Sequence, residues 1–230
     1  MKRKPAEFYG YKYKIPLDDF FQFGVSVDCV LFGYKEGKVY VLLIKRGAMP
    51  YEDEWALPGD LVYPNENLED GAKRILTELT GLNHVFMEQL GAFSEVFRHS
   101  LGRVITVGYF AMNPLEEYRP SAQSWVKELK WVELTKVPKL AFDHNEIYEN
   151  AISKLRNYLK GEKPVGFELL PEKFTLLEYL NMVEYVLGEK LDKANFRKKL
   201  LAADFLLPLN EIQKNVNHRP AKLYKVKSRK

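Results

Sequence analysis

Residues 59–82 read GDLVYPNENLEDGAKRILTELTGL and contain the most specific pattern in the chain. The second half of this stretch carries apolar residues at helical spacing from 67 to 80, and Gly81 follows as a residue suited to the C-terminal end of a helix. Residues three and four apart are neighbours on a helix surface. One face of this predicted helix therefore carries Ile75, Glu78 and Leu79.

The same stretch resembles the Nudix box, whose pattern is G-x5-E-x7-R-E-U-x-E-E-x-G-U with U an aliphatic residue. Asp60 stands at the first glycine of the pattern, so only Gly59 remains of the usual glycine pair. The resemblance implies that Glu66 and Arg74 form an ion pair that joins the loop to the helix. It implies a structural role for Gly59, Glu66, Arg74 and Gly81.

The box lacks most of the carboxylates that its chemistry requires. Nudix hydrolases place three glutamates after the arginine, and this chain has Ile75, Glu78 and Leu79 at those positions. Magnesium needs oxygen ligands, which isoleucine and leucine do not supply. We therefore expect no catalytic residues, no bound metal and no cofactor, with Glu78 as the one surviving metal-ligand position. The chain is predicted to be a catalytically inactive homologue of Nudix hydrolases.

The composition limits the class of protein. The chain has 230 residues, enough for one large or two small domains, and 46% of them are apolar. The single cysteine, Cys29, lies in an apolar run and indicates a reducing compartment. The four histidines have no metal-ligand spacing. Because there is no signal-peptide core and no apolar run of about 18 residues, we expect a cytoplasmic protein without membrane contact.

The order of strand and helix patterns is typical of an α+β protein. Two strands joined as a hairpin are expected first, and a helix and three further strands precede a second helix. Together with the box, this order predicts a Nudix α/β/α sandwich. The expected strands are 23–34, 38–46, 85–97, 103–112 and 125–132, and the expected helices are 67–80 and 147–159.

A second domain is expected after a break in the helical pattern at 160–164. Thr175 and Glu178 have the spacing of a capping box, and Asp192 is placed to cap a second helix over 193–203. Two short strands, at 205–209 and 221–226, then predict a wing. These features indicate a C-terminal winged helix-turn-helix domain. The expected divisions are an N-terminal extension (1–22), a Nudix-like effector-binding domain (23–160), a linker (161–168) and a DNA-binding domain (169–230).

Basic charge is concentrated at the C-terminal end of the chain. Residues 190–230 hold nine Lys and three Arg against three acidic residues, a balance of +9, whereas the whole chain carries +4. A polyanionic partner and a merely solvated basic tail both explain this charge, and the helix-turn-helix pattern favours double-stranded DNA. The candidate DNA contacts are Lys193, Asn195, Arg197, Lys198, Lys199, His218, Arg219, Lys222 and Lys225.

Two further motifs resemble those of Nudix proteins that handle ADP-ribose. Residues 97–104 resemble an Arg-Asp-Pro-Arg-Gly-Arg-Val loop through Arg98, Gly102 and Arg103, and residues 142–144 match a Phe-Asp-His motif. Arginines in such a loop can hold phosphate or hydroxyl groups through forked hydrogen bonds. The alternatives are surface ion pairs for the arginines and a helix cap for Asp143. The expected effector-binding residues are Arg98, Arg103, Glu78 and His144.

From Phe23 onward the chain resembles the Nudix-related transcriptional regulators. The resemblance beyond the box rests on GFELLP at 166–171, NFRKK at 195–199 and HRPAKLY at 218–224. It implies a transcriptional regulator that binds a palindromic DNA operator as a homodimer and responds to a small effector. That effector is ADP-ribose or, in the branch controlling sugar metabolism that residues 74–82 resemble, a pentose. The competing function is a Nudix hydrolase of a nucleoside diphosphate derivative with an accessory winged helix.

Overall fold

The computed structural model describes residues 22–83, 85–115, 120–161, 165–214 and 219–227. Within these ranges a mixed sheet has one helix on each face, and a winged helix follows. The strands of the sheet are β1 (Gly24–Lys35), β2 (Lys38–Arg46), β3 (Trp55–Ala56), β4 (Gly59–Leu61), β5 (Glu88–Phe93), β6 (Val104–Pro114) and β7 (Val126–Glu133). The helices covering it are α1 (Leu68–Thr80) and α2 (His144–Lys160). The winged helix contains α3 (Leu176–Leu187), α4 (Lys193–Ala202), β8 (Leu206–Ile212) and β9 (Lys222–Val226). The predicted α/β/α sandwich followed by a winged helix is confirmed.

Strand β1 is central to the sheet. It pairs antiparallel with β2 and β4 and parallel with β6. Strand β5 lies beyond β6, and β3 and β7 both pair with β2. Side chains alternate between the two faces of a strand. Consequently β1 directs Val27, Cys29 and Leu31 into the core under α1, and Val30 and Phe32 into the core under α2.

Helix α1 is the predicted helix of the box, and local chemistry sets both of its ends. The Asn67 side chain accepts a hydrogen bond from the backbone N–H of Asp70, which caps the first turn. Gly81 ends the helix in the left-handed conformation, with a φ of 71°. The buried face includes Ile75, Leu76 and Leu79, which pack against the sheet. The apolar spacing of the sequence therefore gives the packing face directly.

The winged helix shares a core with the sheet. Apolar residues of α2 and of the sheet face beneath it, such as Leu155 and Phe32, belong to the same buried cluster as Met182 and Val186 of α3. Hydrogen bonds also join the two parts. The Tyr34 hydroxyl donates to the backbone oxygen of Glu178 at 3.2 Å. These contacts hold the predicted DNA-binding domain directly against the sandwich.

Local signals set the helix boundaries of the winged helix. The Thr175 hydroxyl accepts from the backbone N–H of Glu178, and the Glu178 carboxylate accepts from the Thr175 N–H, which completes the predicted capping box. Gly188 ends α3 with a φ of 73°. Asp192 accepts from the Asn195 N–H at the start of α4. Strands β8 and β9 then pair antiparallel as the predicted wing.

Three elements differ from their predicted bounds by three residues or more. The first wing strand, expected over 205–209, extends to Ile212, because Ile212 still pairs with Lys222. The strand expected over 85–97 is limited to Glu88–Phe93, because its pairing with β6 covers only those residues. The helix expected from Ile147 begins at His144, because Asp143 already occupies the N-cap position. In the part of the chain that the structure describes, no helix is long and apolar enough to cross a bilayer.

Candidate functional site

A cavity of about 250 Å³ opens at the end of the sheet where α2 begins. Its walls come from β1, the segment after β2, β4, the loop before β6 and the first residues of α2. Two arginines and several rings therefore meet around a small space, a combination suited to an anionic ligand. The charged and aromatic lining residues are Asp28, Arg46, Asp60, Arg98, His99, Trp125, Phe142 and His144.

Arg98 is a buried cation in the wall of the cavity, with only 3% of its side chain exposed. Its Nε and Nη2 donate to the two carboxylate oxygens of Asp143 at 2.7 and 2.6 Å. Its Nη2 also lies 3.4 Å from Oδ2 of Asp28. Burial disfavours the guanidinium charge, but the two carboxylates outweigh it and raise the pKa of Arg98. The ion pair is therefore internal, unlike the surface pair considered from the sequence.

Asp143 stands at the N-cap position of α2, but its side chain makes no capping hydrogen bond. Its carboxylate instead accepts both hydrogen bonds from Arg98. The helix-cap interpretation is thus correct for the position of Asp143 and wrong for its side chain. The reason is electrostatic, because a buried guanidinium is a stronger donor to a carboxylate than a neutral backbone N–H.

His144 is buried beside Asp28. The backbone N–H of Leu57 donates to its Nδ1 at 3.0 Å, so the neutral ring carries its proton on Nε2. That Nε2 lies 3.3 Å from Oδ1 of Asp28, whose other oxygen accepts from the Thr106 hydroxyl at 2.7 Å. Burial lowers the pKa of His144 and favours the neutral form. His144 therefore orients the Asp28 carboxylate at the floor of the cavity.

Arg46 lies between two aromatic rings. Its guanidinium carbon is 4.9 Å from the centre of the Trp125 ring and 5.0 Å from that of Phe142. The Phe142 ring stacks on His99 at 5.1 Å, and Phe142 holds a positive φ of 54°, which a bulky residue rarely adopts. Burial, reinforced by nearby arginines, lowers the pKa of His99. These four side chains form a stacked column along one wall of the cavity.

The ion pair implied for the box joins the loop to α1. Arg74 donates from Nε and Nη2 to Glu66 at 2.9 and 2.6 Å, and the hydrogen bonds from Arg74 lower the pKa of Glu66 to about 2. Arg74 also donates from Nη1 to Glu78 at 2.8 Å. Two of the five N–H donors of the guanidinium thus serve one carboxylate in a forked arrangement. The pair fixes the loop that leads from β4 to α1.

The structure separates the four residues expected to bind an effector. Arg98 and His144 line the cavity described above, whereas Arg103 and Glu78 are not among its lining residues. Arg103 donates to the backbone oxygens of Ser94 and Glu95 and so closes the loop between β5 and β6. Glu78 lies on α1, which packs on the opposite face of the sheet from α2, and is bound by Arg74.

The two missing carboxylate positions of the box lie in the core. Ile75 is 0% exposed and Leu79 is 2% exposed, and both pack in the cluster between α1 and the sheet. In the described ranges, no three His, Cys, Asp or Glu side chains converge as a metal site. Apolar side chains therefore fill the space where the box pattern would place two carboxylates.

Several cavity residues were not identified from the sequence. Asp28 lies within an apolar strand, and a lone acid in such a strand is a usable signal because burying an unpaired charge is unfavourable. Arg46 and Trp125 gave no comparable signal. They come together through contacts between segments distant in the sequence.

The predicted DNA-binding residues of α4 share an exposed surface. Leu200 is buried and Phe196 packs against Tyr179 with ring centres 5.6 Å apart, so one side of α4 faces the core. The exposed side chains of α4 include Lys193, Asn195, Arg197, Lys198 and Lys199. In the wing, Arg219 and Lys222 are exposed and Lys225 is half-buried. His218 lies outside the described residues.

Two family models match the chain. A model described as "NUDIX domain" matches residues 22–151, and one described as "NrtR DNA-binding winged helix domain" matches residues 166–226. The chain is also 32% identical over 205 residues to the "ADPR responsive transcriptional repressor NtrR" of Acinetobacter baylyi, covering 87% of this chain and 81% of that protein.

Two solved structures have a similar fold. NrtR of Shewanella oneidensis complexed with a 27mer DNA matches with a TM-score of 0.75 and 31% identity, covering 88% of this chain and 93% of that one. The NUDIX domain of the same protein complexed with ADP ribose matches with a TM-score of 0.56 and 32% identity, covering 62% of this chain and 94% of that one.

Proposed function

The chain belongs to the family of Nudix-domain transcriptional regulators with an NrtR-type winged helix, and we propose that it is a DNA-binding repressor that responds to ADP-ribose. One observation carries the proposal. The protein has a cavity that two arginines line, and it has a separate exposed basic helix, α4. Both features are built on the same hydrophobic core. A ligand at the cavity and a duplex at α4 therefore bind two surfaces of one packed unit.

The cavity supports an ADP-ribose-like effector. Arg98 and Arg46 supply positive charge for a diphosphate, and the rings stacked on Arg46 supply apolar surface for a nucleoside. His144 orients the carboxylate on the cavity floor. We favour ADP-ribose over a pentose for two reasons. One relative is named as ADPR responsive and the NUDIX domain of another was solved with ADP ribose, and a neutral sugar does not require two buried arginines. In this proposal Arg103 contributes by closing the loop between β5 and β6, and Glu78 contributes only by binding Arg74, the partner of Glu66.

The same domain is proposed not to be an enzyme. Only Glu78 remains at a metal-ligand position of the box, and the side chains at the other two positions are buried and apolar. A single carboxylate gives weak magnesium binding, because water would have to provide most of the other ligands. A hydrolase therefore stays the second candidate, supported by the box pattern and not by the residues that occupy it.

DNA is proposed to bind through α4 and the wing. The exposed N-terminal half of α4 carries Asn195 and Arg197, residue types that read base edges in the major groove. In this proposal the lysines of α4 and of β9 contact phosphates. We further propose that the protein binds as a homodimer, with one α4 in each half of a palindromic operator. The two winged helices would then lie about one helical turn of DNA, or a multiple of it, apart.

A single set of experiments tests the proposal. The full chain selects duplexes from a random-sequence pool, and fluorescence anisotropy then measures binding of the enriched duplex with and without saturating ADP-ribose. We expect ADP-ribose to raise the Kd by at least about tenfold, a coupling of ordinary size. Arabinose serves as the alternative effector. Enrichment of no duplex, or equal Kd values with and without ADP-ribose, contradicts the proposal. Magnesium-dependent release of AMP would instead support the hydrolase.

A further inference from the structure

Helix α2 joins the cavity to the winged helix. Its N-terminal end carries Asp143 and His144, which contact Arg98 and Asp28 at the cavity. Near its other end, Arg156 donates from Nε to the backbone oxygen of Val186 at 3.0 Å. Val186 lies in the last turn of α3, where carbonyl groups have no partner inside the helix. One rigid element therefore touches the proposed effector site and the first helix of the DNA-binding domain.

The contact at the cavity end can exchange partners. The Asp143 carboxylate occupies Nε and Nη2 of Arg98, although its position at the start of α2 makes it a natural cap for that helix. A diphosphate offers Arg98 the same forked acceptor geometry as a carboxylate, with more negative charge. When a ligand accepts the hydrogen bonds of Arg98, the Asp143 carboxylate loses this partner. It can then accept hydrogen bonds from the backbone N–H groups in the first turn of α2.

The contact at the other end determines how α3 is held. In addition to the hydrogen bond from Arg156 of α2, two hydrogen bonds join α3 to the sheet. The Tyr34 hydroxyl donates to the Glu178 oxygen at 3.2 Å, and the Tyr185 hydroxyl donates to Glu133 at 3.0 Å. Helix α3 is thus attached to the sheet at two points and to α2 at a third. A movement of α2 against the sheet changes the orientation of α3 and, through it, of α4.

We propose that an anionic effector takes the Arg98 guanidinium from Asp143, and that α2 transmits this change through Arg156 to the winged helix. This inference rests on the proposed function. It assigns one role to Asp143 and another to Arg156. Asp143 competes with the effector for Arg98. Arg156 is a positioning residue that touches neither ligand and couples the two sites.

The first test separates coupling from binding. The full chain is titrated with its selected duplex in the absence of ADP-ribose and at saturation, and the ratio of the two Kd values is the coupling factor. We expect Arg156→Ala to bind duplex alone and ADP-ribose alone within about threefold of wild type, while its coupling factor falls from about ten or more to below about two. Arg156 is exposed, so the fold should tolerate the change.

Two further variants complete the first test. Arg156→Lys keeps a donor near Val186 and should retain part of the coupling. Asn157→Ala, a change at the adjacent exposed residue of α2, should couple as wild type does. An Arg156→Ala protein that couples as strongly as wild type overturns the inference and leaves the proposed function intact. A wild-type protein without coupling overturns both.

The second test addresses the exchange at Arg98. Asp143→Asn removes the charge that competes for the guanidinium but keeps the size of the side chain. We therefore expect calorimetry to show ADP-ribose binding at least about threefold tighter than to wild type, with the coupling factor reduced. If Asp143→Asn binds ADP-ribose as tightly as wild type or more weakly, the exchange of partners at Arg98 is overturned. A carboxylate that only holds Arg98 in position would weaken ADP-ribose binding when it is removed.

Discussion

Gly59 lies directly against the carboxylate of Asp28. The two residues face each other in the antiparallel pairing of β4 with β1, and a Cβ on Gly59 would overlap Oδ1 of Asp28. That carboxylate is the group that Arg98, His144 and Thr106 engage at the floor of the cavity. Position 59 therefore requires glycine because the Asp28 carboxylate occupies the space of a Cβ, and not because of the backbone conformation of β4.

Replacement of Gly59 by alanine should therefore damage both the fold and the cavity. The added methyl group forces β4 or the Asp28 carboxylate to move, and overpacking of this kind lowers the free energy of unfolding by about 1–3 kcal/mol. We expect ADP-ribose binding to weaken by about tenfold or more, which corresponds to about 1.4 kcal/mol. Urea denaturation and calorimetry measure the two effects. Lys73→Ala is the control, because Lys73 is exposed on α1, is not among the residues that line the cavity, and its substitution should change stability by less than about 0.5 kcal/mol.

Much of the fold could be predicted because its signals are local. The caps at Gly81, Thr175 and Asp192 mark helix ends within a few residues of the apolar pattern that defines each helix. Helix α2 shows the limit of this approach. The apolar spacing predicts a start at Ile147, but the helix begins at His144, whose ring is held by contacts with β1 and with Leu57. Such contacts join segments distant in the sequence and leave no local pattern.

The candidate site was predicted less completely than the fold. Arg98 and His144 were identified because each lies in a motif of neighbouring residues. Asp28, Arg46 and Trp125 belong to separate strands and loops, and only the folded chain brings them together. Conversely, its position in the box predicts Glu78 at the effector site, but Glu78 lies on α1 and the sheet separates α1 from α2, where the cavity is found. A sequence pattern does not report which face of a sheet a helix covers.

Glutamates at the two missing positions of the box should unfold α1 and should not restore hydrolysis. Ile75 and Leu79 are buried in an apolar cluster, and an unpaired carboxylate there is strongly destabilising, by several kcal/mol at each site. We expect Ile75→Glu/Leu79→Glu to lose its cooperative thermal transition and to release no AMP from ADP-ribose with Mg²⁺. Lys73→Glu adds a carboxylate on the exposed side of the same helix and serves as the control. A folded double variant that turns over ADP-ribose would contradict this account of the box.

Acid should destabilise the protein through His144. Burial lowers its pKa below the value of 6.5 that it has in an unfolded chain, with Asp28 and Asp143 opposing the shift and Arg98 and Arg46 adding to it. The stabilising contribution is fully present above pH 6.5. It is lost as the pH falls from there toward the lower pKa of the folded state, because the unfolded state then binds more protons.

The measurement is urea denaturation of the wild type and of His144→Asn at about pH 7.5, 6.5 and 5.5. Asparagine does not titrate but keeps an acceptor for the Leu57 N–H, so we expect the variant to be less stable at neutral pH and to lose less stability in acid. Parallel slopes for the two proteins would show that another group, and not His144, accounts for the acid sensitivity.

Substitution of the two loop arginines should have unequal effects on effector binding. Arg98 lines the cavity, whereas Arg103 donates only to backbone oxygens of Ser94 and Glu95 in the contacts described. We expect Arg98→Lys to weaken ADP-ribose binding by about tenfold or more, because lysine cannot make the forked contact. Arg103→Lys retains a donor to the loop and should change the Kd by less than about threefold. Calorimetry with both variants compares them, and equal losses would place both residues at the ligand.

The remaining prediction concerns DNA recognition by α4 and the wing. Arg197 is exposed on α4 in the half that should enter the major groove, and Lys222 is exposed at the start of β9. Arg197→Ala should lose about 1–3 kcal/mol of binding free energy and relax specificity at one base pair. Lys222→Ala should instead weaken all duplexes alike and reduce the slope of log K against log salt by about one, because a phosphate contact releases a counterion.

Anisotropy titrations of the selected duplex and a scrambled duplex at several salt concentrations distinguish these two roles. Lys73→Ala is a matched control, because Lys73 is exposed on α1, which packs on the face of the sheet opposite to α2 and the winged helix. It should leave both the affinity and the salt slope unchanged. If Arg197→Ala lowers the affinity for both duplexes equally, then Arg197 contacts phosphate and α4 does not read bases at that position. If none of the three changes alters binding, α4 and the wing are not the DNA-binding surface.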